Sequence, residues 1–340
     1  MKNILVTGGA GFIGSHTVVE LVSAGYRPVI VDNFSNSDKS VLSGLKKITG
    51  KQIACYETDF QDKGIQKILI KEKIDGVIHF AAFKAVGESV EQPLKYYNNN
   101  LSGMLDLLSN LLKQKINNFV FSSSAAVYGN PPTDIVTEDT TCAPTSPYGW
   151  SKYMDEIVLR DLCASNPTLR GVALRYFNVI GAHPSAKIGE RPKGKPQNLL
   201  PIILQASTEQ VFSLTVYGTD YPTPDGTCLR DYIHVVDLAK AHVAALQKLE
   251  KKDSAENYSV YNLGTGKPTS VLELLKTFEK VNGVKVPYKI GPRRPGDPAA
   301  YFASPKKANK GLGWKTQRSV QDAVADAWRW QQTIERKSNG

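Results

Sequence analysis

The chain has 340 residues, 41% of them hydrophobic, with 42 Lys and Arg against 32 Asp and Glu for a formal net charge of +10. That length and apolar content exclude a disordered or fibrous chain and imply a large core, divided into two lobes. The basic excess raises nucleic-acid binding, but lysines are scattered among acids in amphipathic stretches such as Gln66-Lys67-Ile68-Leu69-Ile70-Lys71-Glu72-Lys73, so no nucleic-acid partner is expected and an anionic, phosphate-bearing ligand is favoured instead.

Lys2-Asn3-Ile4-Leu5-Val6-Thr7 reads as a buried apolar strand running into Gly8-Gly9-Ala10-Gly11-Phe12-Ile13-Gly14. Ile13, Val18, Leu21 and Val22 then follow helical spacing. Glycines at 8, 11 and 14 allow a tight turn, close backbone approach to a pyrophosphate and tight helix-to-sheet contact, with phosphates facing the helix N-terminus. A second strand, Pro28-Val29-Ile30-Val31, ends at Asp32, about 20 residues on, where a carboxylate accepts from adenosine ribose hydroxyls. That charge would repel a 2′-phosphate, so NAD is expected rather than NADP.

β-Branched apolar runs recur at 53–56, 77–80, 119–122, 172–176 and 260–263 with helical patterns between most of them, which predicts a Rossmann-type α/β fold on a doubly wound parallel sheet. Ligands of such sheets sit at the carboxyl ends of the strands. The residues found there are Asp59-Phe60, Phe80-Ala81-Ala82-Phe83-Lys84, Ser122-Ser123-Ser124 and Phe177-Asn178. Next comes Ser146-Pro147-Tyr148-Gly149-Trp150-Ser151-Lys152. Ser146 suits an N-cap and Pro147 the first helical position, so Tyr148 and Lys152 are expected one turn apart on one face. A phenol titrates near ~10, and a neighbouring ammonium favours the phenolate. Tyr148 is therefore the expected base, with Ser124 supplied from a strand end.

Pro and Gly become frequent beyond residue 178, through Gly181-Ala182-His183-Pro184 and Gly189-Glu190-Arg191-Pro192-Lys193-Gly194-Lys195-Pro196. This reads as a lobe boundary. The expected division is a cofactor domain over 1–177, with segments near 235–265 returning to it, and a smaller mixed α/β substrate lobe mainly over 178–340. The residues after Trp330 read as a frayed tail. Cys55, Cys142, Cys163 and Cys228, and the histidines at 16, 79, 183, 234 and 242, form no ligand cluster. No metal is expected, and free thiols fit a reducing compartment, with cytoplasm the default. No apolar run is long enough for a bilayer, and the N-terminus enters a strand without a charged-then-apolar leader, so no membrane partner is expected.

These motifs together resemble the extended short-chain dehydrogenase/reductase superfamily, and within it the nucleotide-sugar epimerases. The resemblance runs essentially end to end. It is carried further by His79-Phe80-Ala81, Lys84-Ala85-Val86-Gly87-Glu88-Ser89, Phe121-Ser122-Ser123-Ser124-Ala125, Arg175-Tyr176-Phe177-Asn178, Gly181-Ala182-His183-Pro184, Arg230-Asp231-Tyr232-Ile233-His234, Tyr261-Asn262-Leu263-Gly264 and Arg293-Arg294-Pro295-Gly296-Asp297. It implies an NAD-dependent isomerase of galactose metabolism that interconverts UDP-galactose and UDP-glucose by transient oxidation at C4, rotation of the 4-keto sugar and re-reduction on its other face. Ser124 and Tyr148 would meet the sugar 4-hydroxyl, while Lys152 would hold the nicotinamide ribose and lower the Tyr148 pKa. Implied cofactor contacts are Gly8, Gly11, Phe12, Ile13, Gly14, Asp32, Asn33, Phe34, Ser35, Asn36, Ser37, Asp59, Phe60, Phe80, Ala81, Ala82, Phe83, Lys84, Asn99 and Phe177, besides the catalytic trio. Implied substrate contacts are Asn178, Asn198, Leu199 and Tyr217, with Arg230 and Arg294 facing phosphate and Asp297 near the uridine ribose. Forked, permanently charged arginines suit a buried pyrophosphate on physical grounds as well.

By the same resemblance Tyr301 falls where the sugar pocket's wall is set, and its bulk implies restriction to the plain hexoses. A homodimer is implied through helices near 95–113 and 153–163. Two other readings share the fold. A nucleotide-sugar 4,6-dehydratase needs an acidic pair after the serine, where this chain has Ala125 and Ala126, and methyl groups transfer no protons. A non-catalytic NAD sensor or scaffold would have little reason to keep Ser124, Tyr148 and Lys152 together. The chain departs from the family pattern at Trp150, bulkier than expected, and at Pro295, where an acidic residue is expected beside Arg294.

Overall fold

The structure is a computed structural model that describes residues 1–194, 196–208, 213–251, 256–294 and 296–338. Lys195 and Pro295 therefore lie outside the described residues. Seven strands form the main sheet: β1 (Asn3–Thr7), β2 (Arg27–Asp32), β3 (Ala54–Glu57), β4 (Gly76–His79), β5 (Asn118–Ser122), β6 (Arg170–Tyr176) and β7 (Tyr258–Leu263). Their order is β7-β6-β5-β4-β1-β2-β3, and every neighbouring pair is parallel. The expected doubly wound sheet is present, with strand order reversing between β1 and β4. A crevice opens at such a switch point, outside the carboxyl ends of the strands.

Both faces of the sheet are covered, as near-continuous apolar strands require. Side chains alternate across the pleat: Ile4 and Val6 pack on one side with Val18 and Leu21 of α1 (Phe12–Ser23), while Leu5 packs on the other with Leu107 and Leu159. Leu159 belongs to α2 (Pro147–Ser165), and α3 (Val235–Lys251) joins α1 on the first side through Leu238 and Leu246. A third core joins Leu200 and Leu204 to Leu274 and Phe278 and to Ala323, Val324 and Ala327 of α4 (Val320–Ser338). Short strands surround this part, including Asn178–Ile180 against Tyr232–His234 and Leu214–Tyr217 against Tyr288–Gly291. The frayed tail expected after Trp330 is not what forms. Helix α4 runs through Ser338, and Trp330 is buried with its indole Nε1 donating to the Glu190 carbonyl at 2.9 Å.

Behind β5 and β6 lies a buried polar network. Glu156 of α2 accepts from Arg175 Nε at 2.9 Å and Nη2 at 2.5 Å, and from Ser123 Oγ. Arg175 Nη1 also donates to the Tyr128 hydroxyl at 2.9 Å, which donates to Asn262 Oδ1 at 2.7 Å. The bidentate pair fixes α2 against the strand carrying the serine run.

Four histidines are buried as neutral rings: burial pushes His16 and His79 down to about 3 and His234 and His242 to about 4. His79 Nδ1 lies 2.7 Å from Thr7 Oγ1, joining β4 to β1. An unfolded histidine takes a proton near ~6.5, so below that value the unfolded state binds more protons than the folded state. Stability is complete above that pH and falls as pH drops toward the folded values, each ring contributing up to about 1.4 kcal/mol per pH unit. Urea titrations between neutral pH and about pH 5 should give this slope, and His79→Gln should make it shallower; an unchanged slope in the variant would refute the assignment.

Candidate functional site

The loop after β1 opens the crevice. Gly8 has φ +68°, and its N–H donates to the Val31 carbonyl at 2.8 Å, turning the chain tightly off the strand. A Cβ at Gly14 would stand 2.2 Å from the Gly8 carbonyl oxygen, so only glycine lets the helix start this close to the turn. A Cβ at Gly11 would meet only that same carbonyl, at 3.2 Å. Gly11 is the N-cap of α1 with no side-chain cap, and the helix N-terminus with its free N–H groups faces the crevice. Asp32, at the end of β2, accepts from Ala10 N at 3.0 Å through Oδ2, and from Phe34 N and Ser37 Oγ at 2.9 Å through Oδ1. It thereby shapes the loop, and a carboxylate retains acceptor capacity beyond these three bonds.

One cavity of about 560 Å³ runs along the carboxyl ends of the strands. It is lined by Gly8, Gly11, Phe12, Ile13, Gly14, Asp32, Asn33, Ser35, Asn36, Ser37, Asp59 and Phe60 on one side of the switch point. On the other side stand Phe80, Ala81, Ala82, Phe83, Lys84, Asn99, Tyr148 and Lys152, with Asn198 reaching in from the second lobe. Phe34 is the exception in its run: it is buried, outside the lining, with φ +55°. Asn99 lies in the π-helical turn Tyr97–Ser102, whose Asn100 bonds to Phe83 N and Ser151 Oγ. A wide turn of this kind re-aims side chains at a site. The glycine turn, the anion-seeking helix end, the carboxylate and the length of the cavity fit a dinucleotide.

Ser146 caps α2, its Oγ accepting from Gly149 N at 3.1 Å, and Pro147 opens the helix as expected. Tyr148 and Lys152 are both buried on the same cavity wall. Trp150 points away and is exposed, so its bulk disturbs nothing there. Ser124 sits at the end of β5 and caps the turn Ala125–Tyr128, its Oγ accepting from Ala126 N at 3.1 Å. Lys152 is not among the groups that shift the Tyr148 phenol here. Burial pushes the phenol upward, and the influence opposing it is a hydrogen bond with Ser124. The ammonium is turned elsewhere, donating to the Ser122 carbonyl at 2.9 Å over the ring of Phe121. Burial lowers Lys152 to about 8 despite Asp155 and Glu156 nearby.

The remaining sequence-derived residues gather outside that cavity in two groups. Phe177 lies against Tyr301 with ring centroids 5.0 Å apart, and the Tyr301 hydroxyl donates to the Ala125 carbonyl beside Ser124. Asn178 begins the strand that follows, and Leu199 begins the helix Leu199–Ser207. In the second group Asp297 accepts from Arg294 Nε at 2.8 Å and lies 3.4 Å from Arg230 Nη2, while Arg294 stacks over Tyr217 at 5.2 Å. Arg230 is pinned by Nη1 donating to the Leu229 and Pro298 carbonyls at 2.8 and 2.9 Å. Both arginines thus share Asp297, and the adjacent Arg293 stacks over Tyr221 at 4.1 Å.

Sequence reasoning missed several lining residues: Thr58, Glu88, Lys95, Tyr96, Tyr176, Gln197, Pro201, Trp330 and the segment 188–193. The segment was expected only as a lobe boundary, and it in fact borders the cavity. Its Pro- and Gly-rich composition is the same for a linker and for a loop laid across a cleft. Among the described residues no group of His, Cys, Asp and Glu could hold a metal ion.

Comparison with known proteins agrees with this geometry. The sequence profile of the NAD dependent epimerase/dehydratase family matches residues 4–264. A UDP-glucose 4-epimerase of Bacillus subtilis is 51% identical, the alignment covering 96% of either chain. The crystal structure of a UDP-glucose-4-epimerase from Stenotrophomonas maltophila with bound NAD and formylated UDP-arabinopyranose superposes with a TM-score of 0.96 at 45% identity, over 99% of this chain and 100% of that one. The UDP-glucose 4-epimerase of Bifidobacterium longum in complex with NAD+ and UDP superposes with a TM-score of 0.92 at 47% identity, over 98% and 99%.

The close approach at Gly14 is testable without any ligand. Gly14→Ala forces the glycine turn apart and should cost about 1–3 kcal/mol of stability in urea unfolding; a cost below about 0.5 kcal/mol would show that the turn yields freely.

Proposed function

The chain belongs to the NAD-dependent epimerase/dehydratase family, and we propose on that premise that it interconverts UDP-glucose and UDP-galactose by inverting C4 of the hexose. The observation that carries this reading is Tyr148 and Lys152, buried one helical turn apart on the wall of the same cavity that holds the glycine turn and Asp32.

The helix end at Gly11, Phe12, Ile13 and Gly14 would take the cofactor's diphosphate, and Asp32 with residues 33–37, Asp59 and Phe60 the adenosine half. Residues 80–84, Asn99, Ser124, Tyr148, Lys152 and Phe177 would hold the nicotinamide half. When bound, NAD supplies a hydride acceptor that returns the hydride to the opposite face of the resulting 4-keto sugar, and in its oxidised form it brings a positive charge.

The protein's own part is proton transfer and grip. Tyr148, as phenolate, takes the proton of the 4-hydroxyl and later gives it back, while Ser124 orients that oxygen and shares its changing charge. A cation beside the phenol opposes the burial that otherwise holds it protonated, and Lys152 serves that purpose when its ammonium turns from the Ser122 carbonyl. Arg230 and Arg294 hold the substrate pyrophosphate, with Asn178, Asn198, Leu199, Tyr217 and Asp297 around the uridine half. A grip concentrated on the nucleotide leaves the hexose free to present its other face. The sugar wall is Tyr301, locked by its hydrogen bond to Ala125 and its contact with Phe177.

The working division is a cofactor domain over 1–177 plus the segments near 235–265, and a substrate lobe made mainly from 178–340. The chain is read as a cytoplasmic homodimer. Leu94, Leu105 and Trp150 are exposed on the helices beside the crevice, all four cysteines are free thiols, and no helix among the described residues is long and apolar enough to cross a membrane.

Tyr148→Phe should lower the rate of UDP-galactose epimerisation by about 10²–10⁴-fold while UDP affinity measured by calorimetry stays nearly unchanged. Unchanged turnover would refute the role of the phenol. Activity on UDP-N-acetylglucosamine should be low, and Tyr301→Ala should raise it relative to the plain hexoses; equal rates on both substrates in the unaltered protein would contradict the reading of Tyr301.

A further inference from the structure

Residues 189–193 leave the second lobe and cross the crevice from one rim to the other. At the start of the crossing, the Glu190 carbonyl accepts from Trp330 Nε1 at 2.9 Å. The Glu190 carboxylate, nearly buried, lies 3.4 Å from Lys84 Nζ and accepts from Asn198 Nδ2 at 3.1 Å. Lys84 belongs to the rim that follows β4. On the opposite rim, which follows β2, Lys193 Nζ donates to the Phe34 carbonyl at 2.5 Å and Arg191 Nη1 lies 3.4 Å from Asp38 Oδ2.

The contact at Phe34 has a particular meaning. Phe34 is a non-glycine residue at φ +55°, a conformation that persists only when its surroundings hold it. Its N–H is fixed from inside by Asp32, at 2.9 Å. Its carbonyl is fixed from outside by Lys193, which lies 159 positions further along the chain. The Arg191–Asp38 pair alone is half-exposed and of small worth. The crossing ties the two rims of the crevice to each other.

We propose that residues 189–193 form a strap over the dinucleotide, with Lys193 and Arg191 as its positioning residues on one rim and Glu190 on the other. The proposal rests on the reading of the crevice as an NAD site. It explains how a cofactor that undergoes no net oxidation is retained between turnovers. Through Glu190 and Asn198 the strap also touches the residue expected at the uridine nucleotide, so a bound uridine nucleotide should tighten it.

The test uses the full-length protein loaded with NAD. Holoenzyme is diluted, passed through short desalting columns at intervals, and the NAD left with the protein is measured after denaturation. The double variant R191S/K193S should release NAD about tenfold faster, as expected for losing the part-buried, charge-assisted hydrogen bond to Phe34. Its epimerase activity should decay on dilution and return when NAD is added, which general destabilisation would not produce. Glu190→Gln, cutting the other rim, should accelerate release in the same sense. Adding salt until the Debye length falls from about 10 Å to about 3 Å should speed release from the unaltered protein and leave the double variant nearly unaffected. UDP should slow release from the unaltered protein only. Equal release from variant and unaltered protein overturns the strap and leaves the NAD site standing, whereas failure of the unaltered protein to bind NAD at all overturns both.

Discussion

The proposed chemistry depends on placing a phenol and an ammonium together in a buried wall of the crevice. Tyr148 and Lys152 are both buried on the crevice wall, and burial acts on them in opposite senses, raising the phenol and lowering the ammonium. Both effects favour the uncharged forms. A base that is to be phenolate at working pH must then be supported by charge brought to it, and this couples its proton transfer to what lies in the crevice. The Ser146 cap, the Pro147 start and the Glu156–Arg175 pair keep helix α2 at the angle that makes the coupling possible.

Much of the fold was legible because it follows from period and punctuation. The β-branched runs at 53–56, 77–80, 119–122, 172–176 and 260–263 became β3 to β7 within a residue or two. Ser146 and Pro147 announced α2, and glycines 8 and 14 announced a turn that tolerates no Cβ. What was not legible depends on partners distant in sequence. Arg175 and Glu156 look like ordinary surface charges until β6 and α2 bring them together inside the protein. The end of helix α4 reads as a frayed tail because only Ile334 is apolar after Trp330, and Trp330 gains its meaning from the Glu190 carbonyl, 140 positions away.

The candidate site divides the same way. The residues at the cofactor crevice sit at strand ends, where topology alone predicts ligands, and nearly all of them line one cavity. The second-lobe group was reached by resemblance, not by pattern, since Tyr217, Arg230, Arg294 and Asp297 share no period. The structure brings those four together around one carboxylate. The acidified phenol was expected from spacing and from resemblance, but a turn's distance on a helix does not decide where a lysine's flexible stem points. Lys152 chose the Ser122 carbonyl.

The most direct measurement is therefore the ionisation of Tyr148 itself. Ultraviolet difference titration of the NAD-loaded protein with UDP bound, compared with Tyr148→Phe treated identically, isolates the signal of this one phenol. If Tyr148 is the base, one tyrosine should ionise well below the ordinary value of about 10 in the unaltered protein and be missing from the variant. Identical titrations, with no phenol of either protein ionising below about 10, would contradict it.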